Sequence, residues 1–283
     1  MESGLYVVST PIGNLGDVST RAAETLRRAA VVYAEDTRRA GKLLAHVGAE
    51  VPVRSLHAHN EARRSAELLE RLESGDACVL VSDAGTPVVS DPGRRVVAAA
   101  LEAGHPVFSV PGPSAVLAAL AVSGLPADRF LFLGFAPRAG HARESWLAEV
   151  VGSRRTVVLF ESPRRLGRLL QELAERGLKD RGAVVARELT KLHEEVARGT
   201  VAELWERFGQ GEVRGEVTVV VEGAGKPPAA NPETLRAAAG AASSLASAGR
   251  TTREIATALQ AEFGLPRNEA YQVGLRAVKE ADG

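Results

Sequence analysis

Through its first half the chain repeats one pattern: a short apolar run, a polar or glycine-rich loop, then a stretch with helical spacing. The runs are LYVVS from Leu5, AVVYA from Ala30, VPVRSL from Val51, ACVLVS from Ala77 and PVFSV from Pro106. None alternates apolar with polar positions, which predicts strands covered on both faces, as in a parallel sheet. Helical spacing falls between them, over 20–30, 61–73 and 94–103. Strands alternating with helices put the fold in the α/β class.

Further strand-like runs follow: RFLFLGF from Arg129, TVVLFE from Thr156, GAVVARE from Gly182 and EVTVVVEG from Glu216, with helical stretches at 163–176 and 201–208. The turn-rich GLPADR between the two sets has the chemistry of a joint. Residues 1–124 are therefore expected to form one α/β domain and 125–226 a second. A Pro- and Gly-rich segment, GAGKPPAANPE, begins the remainder, 227–283, where no strand-like run appears. Two helices are expected there, separated by Gly264, Leu265 and Pro266, with Thr251 or Thr252 capping the first and Pro266 opening the second.

Composition adds exclusions. A chain of 283 residues with 45% hydrophobic positions can bury a substantial core, and its formal charge of +0 gives no overall pull toward nucleic acid or anionic lipid. No apolar run reaches membrane-spanning length, and the opening MESGLYVVST lacks a secretory signal, so a cytoplasmic protein is expected. The single cysteine, Cys78, lies in a core-strand run and reads as a small buried hydrophobe.

The chemistry-bearing residues gather where the strands should end. After the first comes STPIGNLGD, after the second EDTRR, after the third HAHNE, after the fourth SDAGTPVVSDPG and after the fifth PGPSA. In an open parallel sheet those ends share one rim, where ligands bind. Any one loop is explained by a tight turn or a solvated helix cap; recurrence at every strand end argues for a binding site. The phosphate-cradling patterns GxxxxGK[ST] and GxGxxG are absent, as are a nucleophile elbow and metal-ligand spacing, so no metal is expected. Backbone amides, small side chains and a few carboxylates suit a polar zwitterion with an adenosine part.

Taken together, TPIGNLGD, VVYAEDTR, SLHAHNE, VSDAGTPVVSDPG, VPGPSAVLAALAVSGLP, LFESPRRL, VVARELTKLHEE and GEVTVVVEG are specific. The chain resembles the small-subunit ribosomal RNA cytidine-2′-O-methyltransferase family, methyltransferase I, within the tetrapyrrole-methylase-like (class III) methyltransferases. The likeness extends from Leu5 to Gly223.

That resemblance implies two α/β domains with S-adenosyl-L-methionine in the cleft between them, and a small C-terminal helical module. It implies a cofactor set of Asp83, Ala84, Gly85, Pro87, Ser90 and Asp91 on one loop, Pro11 and Gly13 at the cleft floor, Ser114 and Ala115 beside them, Leu133, Gly134 and Phe135 along the adenine, and Ala186 and Gly215 from the second domain. Phe135, Tyr33 and Phe160 read as core or cofactor wall. The implied reaction is 2′-O-methylation of a cytidine in the decoding region of small-subunit ribosomal RNA, in the assembled subunit, by a homodimer. Candidate catalytic groups at the rim are Glu35, Asp36, His59 and Glu61 as acid–base residues and Arg38 and Lys191 as cations, with His193 and Glu194 nearby. A competing reading makes Asp36 and Arg38 an ion pair that shapes the loop, and Asn60 the cap of the helix starting at Glu61. Arg21, Arg38, Arg39, Arg138 and Arg143 are candidate phosphate contacts. The C-terminal segment fits a helix-turn-helix-like module whose Arg250, Arg253, Arg267 and Arg276 face phosphate, and equally a plain helical hairpin. The alternatives in function are a tetrapyrrole C-methyltransferase and a non-enzymatic RNA-binding module.

Overall fold

The structure, a computed structural model, describes residues 1–225 and 232–281. It divides into two compact units, Met1–Gly223 and Ala224–Gly283. The middle of the expected linker, 226–231, lies outside the described residues.

The first unit opens with strict alternation: β1 (Gly4–Val8), α1 (Thr20–Arg27), β2 (Val31–Ala34), α2 (Thr37–Val47), β3 (Val53–Ser55), α3 (Glu61–Glu73), β4 (Ala77–Val81), α4 (Arg94–Glu102) and β5 (Val107–Val110). The strands form one parallel sheet in the order β3-β2-β4-β1-β5. Every residue of β2 and β4 is buried, which is why neither run alternates in polarity. Alternate residues serve opposite faces. Val32, Ala34, Val79 and Val81 pack with Leu26 of α1 and Leu43 of α2, while Val31, Tyr33, Cys78 and Leu80 pack with Leu68 of α3 and Val96 of α4.

A second sheet follows. Its elements are α5 (Ala115–Ser123), β6 (Phe130–Phe135), α6 (Gly140–Gly152), β7 (Thr156–Glu161), α7 (Pro163–Leu173), β8 (Gly182–Arg187), β9 (Glu195–Thr200), α8 (Val201–Phe208) and β10 (Val217–Val221). The order is β6-β7-β10-β8-β9; β6 and β7 are parallel and the other pairs antiparallel. Helix α5, AVLAALAVS, is apolar on nearly every side; one face packs between the sheets, while Leu117 and Val122 on the other are exposed. Its Val116, Ala119 and Leu120 form one cluster with Ile12 of the first sheet's loops and Val158, Val184, Ala186 and Val220 of the second sheet. That cluster joins the two sheets.

The second unit, taken by itself, holds α9 (Pro232–Ser247), α10 (Thr252–Phe263) and α11 (Arg267–Ala281) around Ala238, Ala242, Ile255, Leu259 and Ala270. The expected helical pair is thus a trio. Helix α9 escapes a periodicity reading because its run of Ala, Ser and Gly has little contrast between faces. Thr251 caps α10 through a reciprocal box with Glu254, and Arg250 and Arg253 beside it are exposed. Among the described residues no helix is long and apolar enough to cross a membrane.

Two side chains have structural roles that their sequence context did not suggest. Glu61 is buried, and its Oε1 accepts from the backbone N–H groups of Gly93 at 3.1 Å and Arg95 at 2.9 Å. It supplies the N-terminal cap that α4 lacks, since Gly93 at the cap position has no side chain. Asn60 occupies the first cap position of α3 yet gives that helix no side-chain bond; it holds the preceding turn instead, accepting from the His57 N–H and donating to the Ser55 carbonyl. Arg143 is a correction to the candidate phosphate contacts. Its side chain is 2% exposed and is held by Glu172, with Nε to Oε2 at 2.9 Å.

Glu61→Ala leaves two N–H groups without a partner, so it should cost about 1–3 kcal/mol in a urea-unfolding measurement. Glu61→Gln, which keeps one acceptor, should cost less.

Candidate active site

Strands β1 and β4 run in register, Val8 beside Val81, so their loops leave the sheet at the same level. Those loops are then tied by a reciprocal backbone pair: Thr10 N–H donates to the Gly85 carbonyl at 2.8 Å and Gly85 N–H to the Thr10 carbonyl at 3.0 Å. The hydroxyls of Ser9 and Thr86 hydrogen-bond alongside at 3.0 Å, and Ser82 Oγ donates to Gly85 O. Gly85 is demanded by its φ of +78° more than by space, because an added Cβ would meet Ile12 at an ordinary 3.5 Å. Val88 and Ser90 also have positive φ, +76° and +65°. For a β-branched residue this is strained backbone, of the kind that concentrates at ligand sites.

Two adjoining cavities open above these loops. The larger, about 380 Å³, has Asp83, Ala84, Gly85, Ser90, Asp91, Ser114 and Ala115 on the first-sheet side and Phe135 and Gly215 on the second. Phe160 completes its aromatic side, with a ring 5.2 Å from that of Phe135. The lining residues that escape the sequence reading include Thr86, Glu161, Ser162, Glu216 and Thr218. Thr218 reaches the cavity as the register partner of Phe160, on β10 beside β7. This is a small-molecule pocket with one aromatic wall and polar groups opposite. The smaller cavity, about 340 Å³, is lined by Pro11, Gly13, Asp83, Ala84 and Lys191, together with Arg39 and Lys42 of α2. Ile12, Arg39, Asp83, Ala84 and Glu216 border both.

Charge is unevenly distributed over this surface. Burial, then the neighbouring Glu35 and Asp83 carboxylates, push Asp91 up to about 6, against an opposing hydrogen bond from Ser82. Burial and Asp83 likewise raise the Glu35 carboxyl, partly offset by His57 and Arg39. Burial works against the Lys191 ammonium, yet hydrogen bonds to Glu188 at 2.7 Å and Glu216 at 3.0 Å outweigh it and hold its pKa above the usual lysine value. Lys191 is therefore a fixed cation. Its stem fills the space beside Gly13, where a Cβ would come within 2.4 Å of Lys191 Cγ.

Other predicted residues stand apart from the cavities. Asp36 caps α2, accepting from the Arg38 N–H and pairing with its guanidinium, and those bonds hold its carboxyl well below the ordinary range. The ion-pair reading of EDTR describes what the structure has there. His59 is exposed beside His57, and neither it nor Glu35 nor Glu61 lines either cavity. Leu133 packs toward the second-sheet core, with its carbonyl accepting from Trp146 Nε1, and Ala186 is buried in the cluster joining the sheets. Pro87 is buried within its loop, and Gly134 lies against Ser90 Oγ. His193 is exposed, whereas Glu194 accepts from the Thr190 N–H and braces the loop.

Known proteins resemble this chain in sequence and in fold. A sequence profile of the Tetrapyrrole (Corrin/Porphyrin) Methylases matches residues 4–205. A ribosomal RNA small subunit methyltransferase I from Synechocystis is 43% identical over 281 residues, 99% of each chain. One of the same name from Mycobacterium tuberculosis is 47% identical over 227 residues, 79% of each. The chain belongs to the ribosomal RNA small subunit methyltransferase I family. Its fold is also that of a solved uroporphyrin-III C-methyl transferase from Thermus thermophilus, complexed with S-adenyl homocysteine. The TM-score is 0.55 at 22% identity, covering 77% of this chain and 97% of that one. The expectation of paired α/β domains of the tetrapyrrole methylase type is met within this family by the two sheets described above.

The raised carboxyl of Asp91 has a stability consequence. Its folded pKa of about 6 lies above the ordinary 3.8, so the folded state binds the extra proton between those values and stability falls as pH rises through that window. Asp91→Asn removes the cost of the buried charge. It should raise Tm at pH 7.5, by about 1–2 kcal/mol of stability, and the gain should shrink as pH falls from 6 toward 4 in thermal melts followed by circular dichroism.

Proposed function

We propose that this cleft methylates the ribose 2′-hydroxyl of a cytidine in the decoding region of small-subunit ribosomal RNA, using S-adenosyl-L-methionine. The observation that carries the reading is the larger cavity: an aromatic wall at Phe135 and Phe160 faces a strand-end loop bearing Asp83 and Asp91. That donor set fits the group, since a purine needs an apolar, stackable side and a sulfonium with an ammonium needs carboxylates. Family membership and the name shared by relatives 43–47% identical support ribosomal RNA as the acceptor.

Bound there, S-adenosyl-L-methionine supplies a methyl on a positive sulfur; the acceptor oxygen's bond to that carbon forms as the carbon–sulfur bond breaks, sulfur keeps the electron pair, and the hydroxyl proton leaves. The chain's task is alignment and proton removal. Of the carboxylates bordering both cavities, Glu216 is neutralised by Lys191, whereas Asp83 Oδ2 has only Arg39 Nε at 3.8 Å. Asp83 Oδ1 is held by the Asp36 N–H at 2.9 Å, which orients the group and leaves Oδ2 for the proton. Ser114, Ala115 and Gly215 contribute cofactor contacts, and Pro11 and Gly13 line the adjoining smaller cavity. The acceptor is proposed to be presented by the assembled subunit, to a cytoplasmic homodimer.

Three labelled-methyl assays test this, with small ribosomal subunits, protein-free ribosomal RNA and a porphyrinogen as acceptors. Label in alkali-resistant ribose of subunits, with none in porphyrinogen, is the expected result. Label in the ring would replace the reading with the tetrapyrrole one, and no label in any acceptor would leave an RNA-binding module. Asp83→Asn should lower kcat on subunits by about 10²-fold or more.

A further inference from the structure

We propose that the 340 Å³ cavity on the α2 side of the cleft is the acceptor site, taking one nucleotide whose phosphate is held by Arg39 and Lys42. The inference rests on the RNA reading above and goes beyond it by naming where the acceptor sits and what grips it. Three observations carry it.

The first is adjacency. The two cavities share Ile12, Arg39, Asp83, Ala84 and Glu216, so ligands in the two would meet across the groups proposed to serve the reaction. The second is uncompensated charge. Around the rim, Arg38 is paired at 2.8 Å with Asp36, and Lys191 with both Glu188 and Glu216. Arg39 reaches only a 3.8 Å contact with Asp83, and Lys42 forms no ion pair among the described residues. Arg39 and Lys42 are three apart on α2 and so share one face of it, the one lining the cavity. Two neighbouring cations without matched anions suit a phosphodiester.

The third is the character of the lining. The cavity is also lined by Ala40, Leu43 and Leu15, the last 41% exposed on a short turn. Apolar side chains beside two cations suit a nucleoside monophosphate unit: sugar and base against carbon, phosphate on the cations. The larger cavity differs in adding the carboxylates of Asp91 and Glu161 and lacking Lys42 and Lys191, while Arg39, Asp83 and Glu216 border both. A cationic donor and an anionic acceptor are thereby sorted into neighbouring compartments by charge.

The test separates the two compartments by binding, without turnover. Affinity for isolated small ribosomal subunits is measured at several salt concentrations, and affinity for S-adenosylhomocysteine by calorimetry, in the wild-type protein, in Lys42→Ala, in Arg39→Ala/Lys42→Ala and in Arg39→Lys/Lys42→Arg. The alanine pair should weaken subunit binding about tenfold or more and lower the salt slope by about 1, for the one phosphate no longer neutralised. Because Arg39 borders both cavities, the donor control is Lys42→Ala, in which S-adenosylhomocysteine affinity should stay within about twofold while subunit binding weakens; the charge-conserving pair should regain most subunit binding. Unchanged subunit binding overturns the proposal. So does a matching fall in S-adenosylhomocysteine affinity in Lys42→Ala, which would move that cation to the donor site. Failure of the wild type to methylate ribose would strike the proposed reaction alone, since the binding comparison does not depend on it.

Discussion

The site depends on a two-way backbone hydrogen bond between Thr10 and Gly85. Strand ends in a parallel sheet leave their last carbonyls and the following amides without ladder partners, and each must find another. Here the loops after β1 and β4 satisfy each other, and Ser9, Ser82 and Thr86 add side-chain bonds to the same junction. The loops are thereby held as one surface. That surface is also where Ile12 enters the apolar cluster joining the sheets, so the junction fixes the floor of the cleft and its attachment to the second wall.

Most of the charged residues near the cleft are occupied in holding it. Asp36 and Arg38 start α2, Glu61 starts α4, Lys191 spans Glu188 and Glu216, and Glu194 braces the turn that carries Lys191. Each of these looks catalytic in a linear reading because polar residues at strand ends serve both purposes. What separates the roles is whether hydrogen-bond capacity is already filled. Asp83, Asp91, Arg39 and Lys42 differ in facing a cavity without a close ion pair: among the described residues Asp91 and Lys42 have none, and Asp83 and Arg39 share a contact of 3.8 Å.

The first sheet was legible because its strands are buried on both faces and its loops carry Gly, Pro and Asp in unusual density. The loop set SDAGTPVVSDPG with PGPSA led directly to residues that line the larger cavity. Where the reading stopped, there is a physical reason. Strand β9, EVARGT, is a charged edge strand carrying Gly199, without the apolar content of its neighbours. Helix α5 is apolar all round, so it shows no face, and α9 is too uniform in Ala and Ser to show one. Thr218 and Phe160 reach the cavity only through the antiparallel pairing of β10 with β7, a long-range register that local spacing does not encode. Glu61 reaches α4 across 32 residues for the same reason.

Both walls of the cleft store backbone strain at matched places. Val88 and Ser90 on the first-sheet side, and Glu188 and Thr190 on the second, are non-glycine residues at positive φ. Each such residue costs about 1–3 kcal/mol and persists only where its surroundings over-determine it. The compensations are visible: Glu188 N–H donates to Glu216 O at 3.0 Å, Thr190 N–H to Glu194 Oε2 at 2.6 Å, and Asn14 N–H to Thr190 Oγ1 at 3.2 Å. The last bond crosses from the first wall to the second, so strain on one side is offset by a contact with the other. Loops fixed in this way lose little further freedom when a ligand arrives. A reaction whose barrier is lowered mainly by alignment gains most from walls already in place, and the strained residues are where the fold sets that placement.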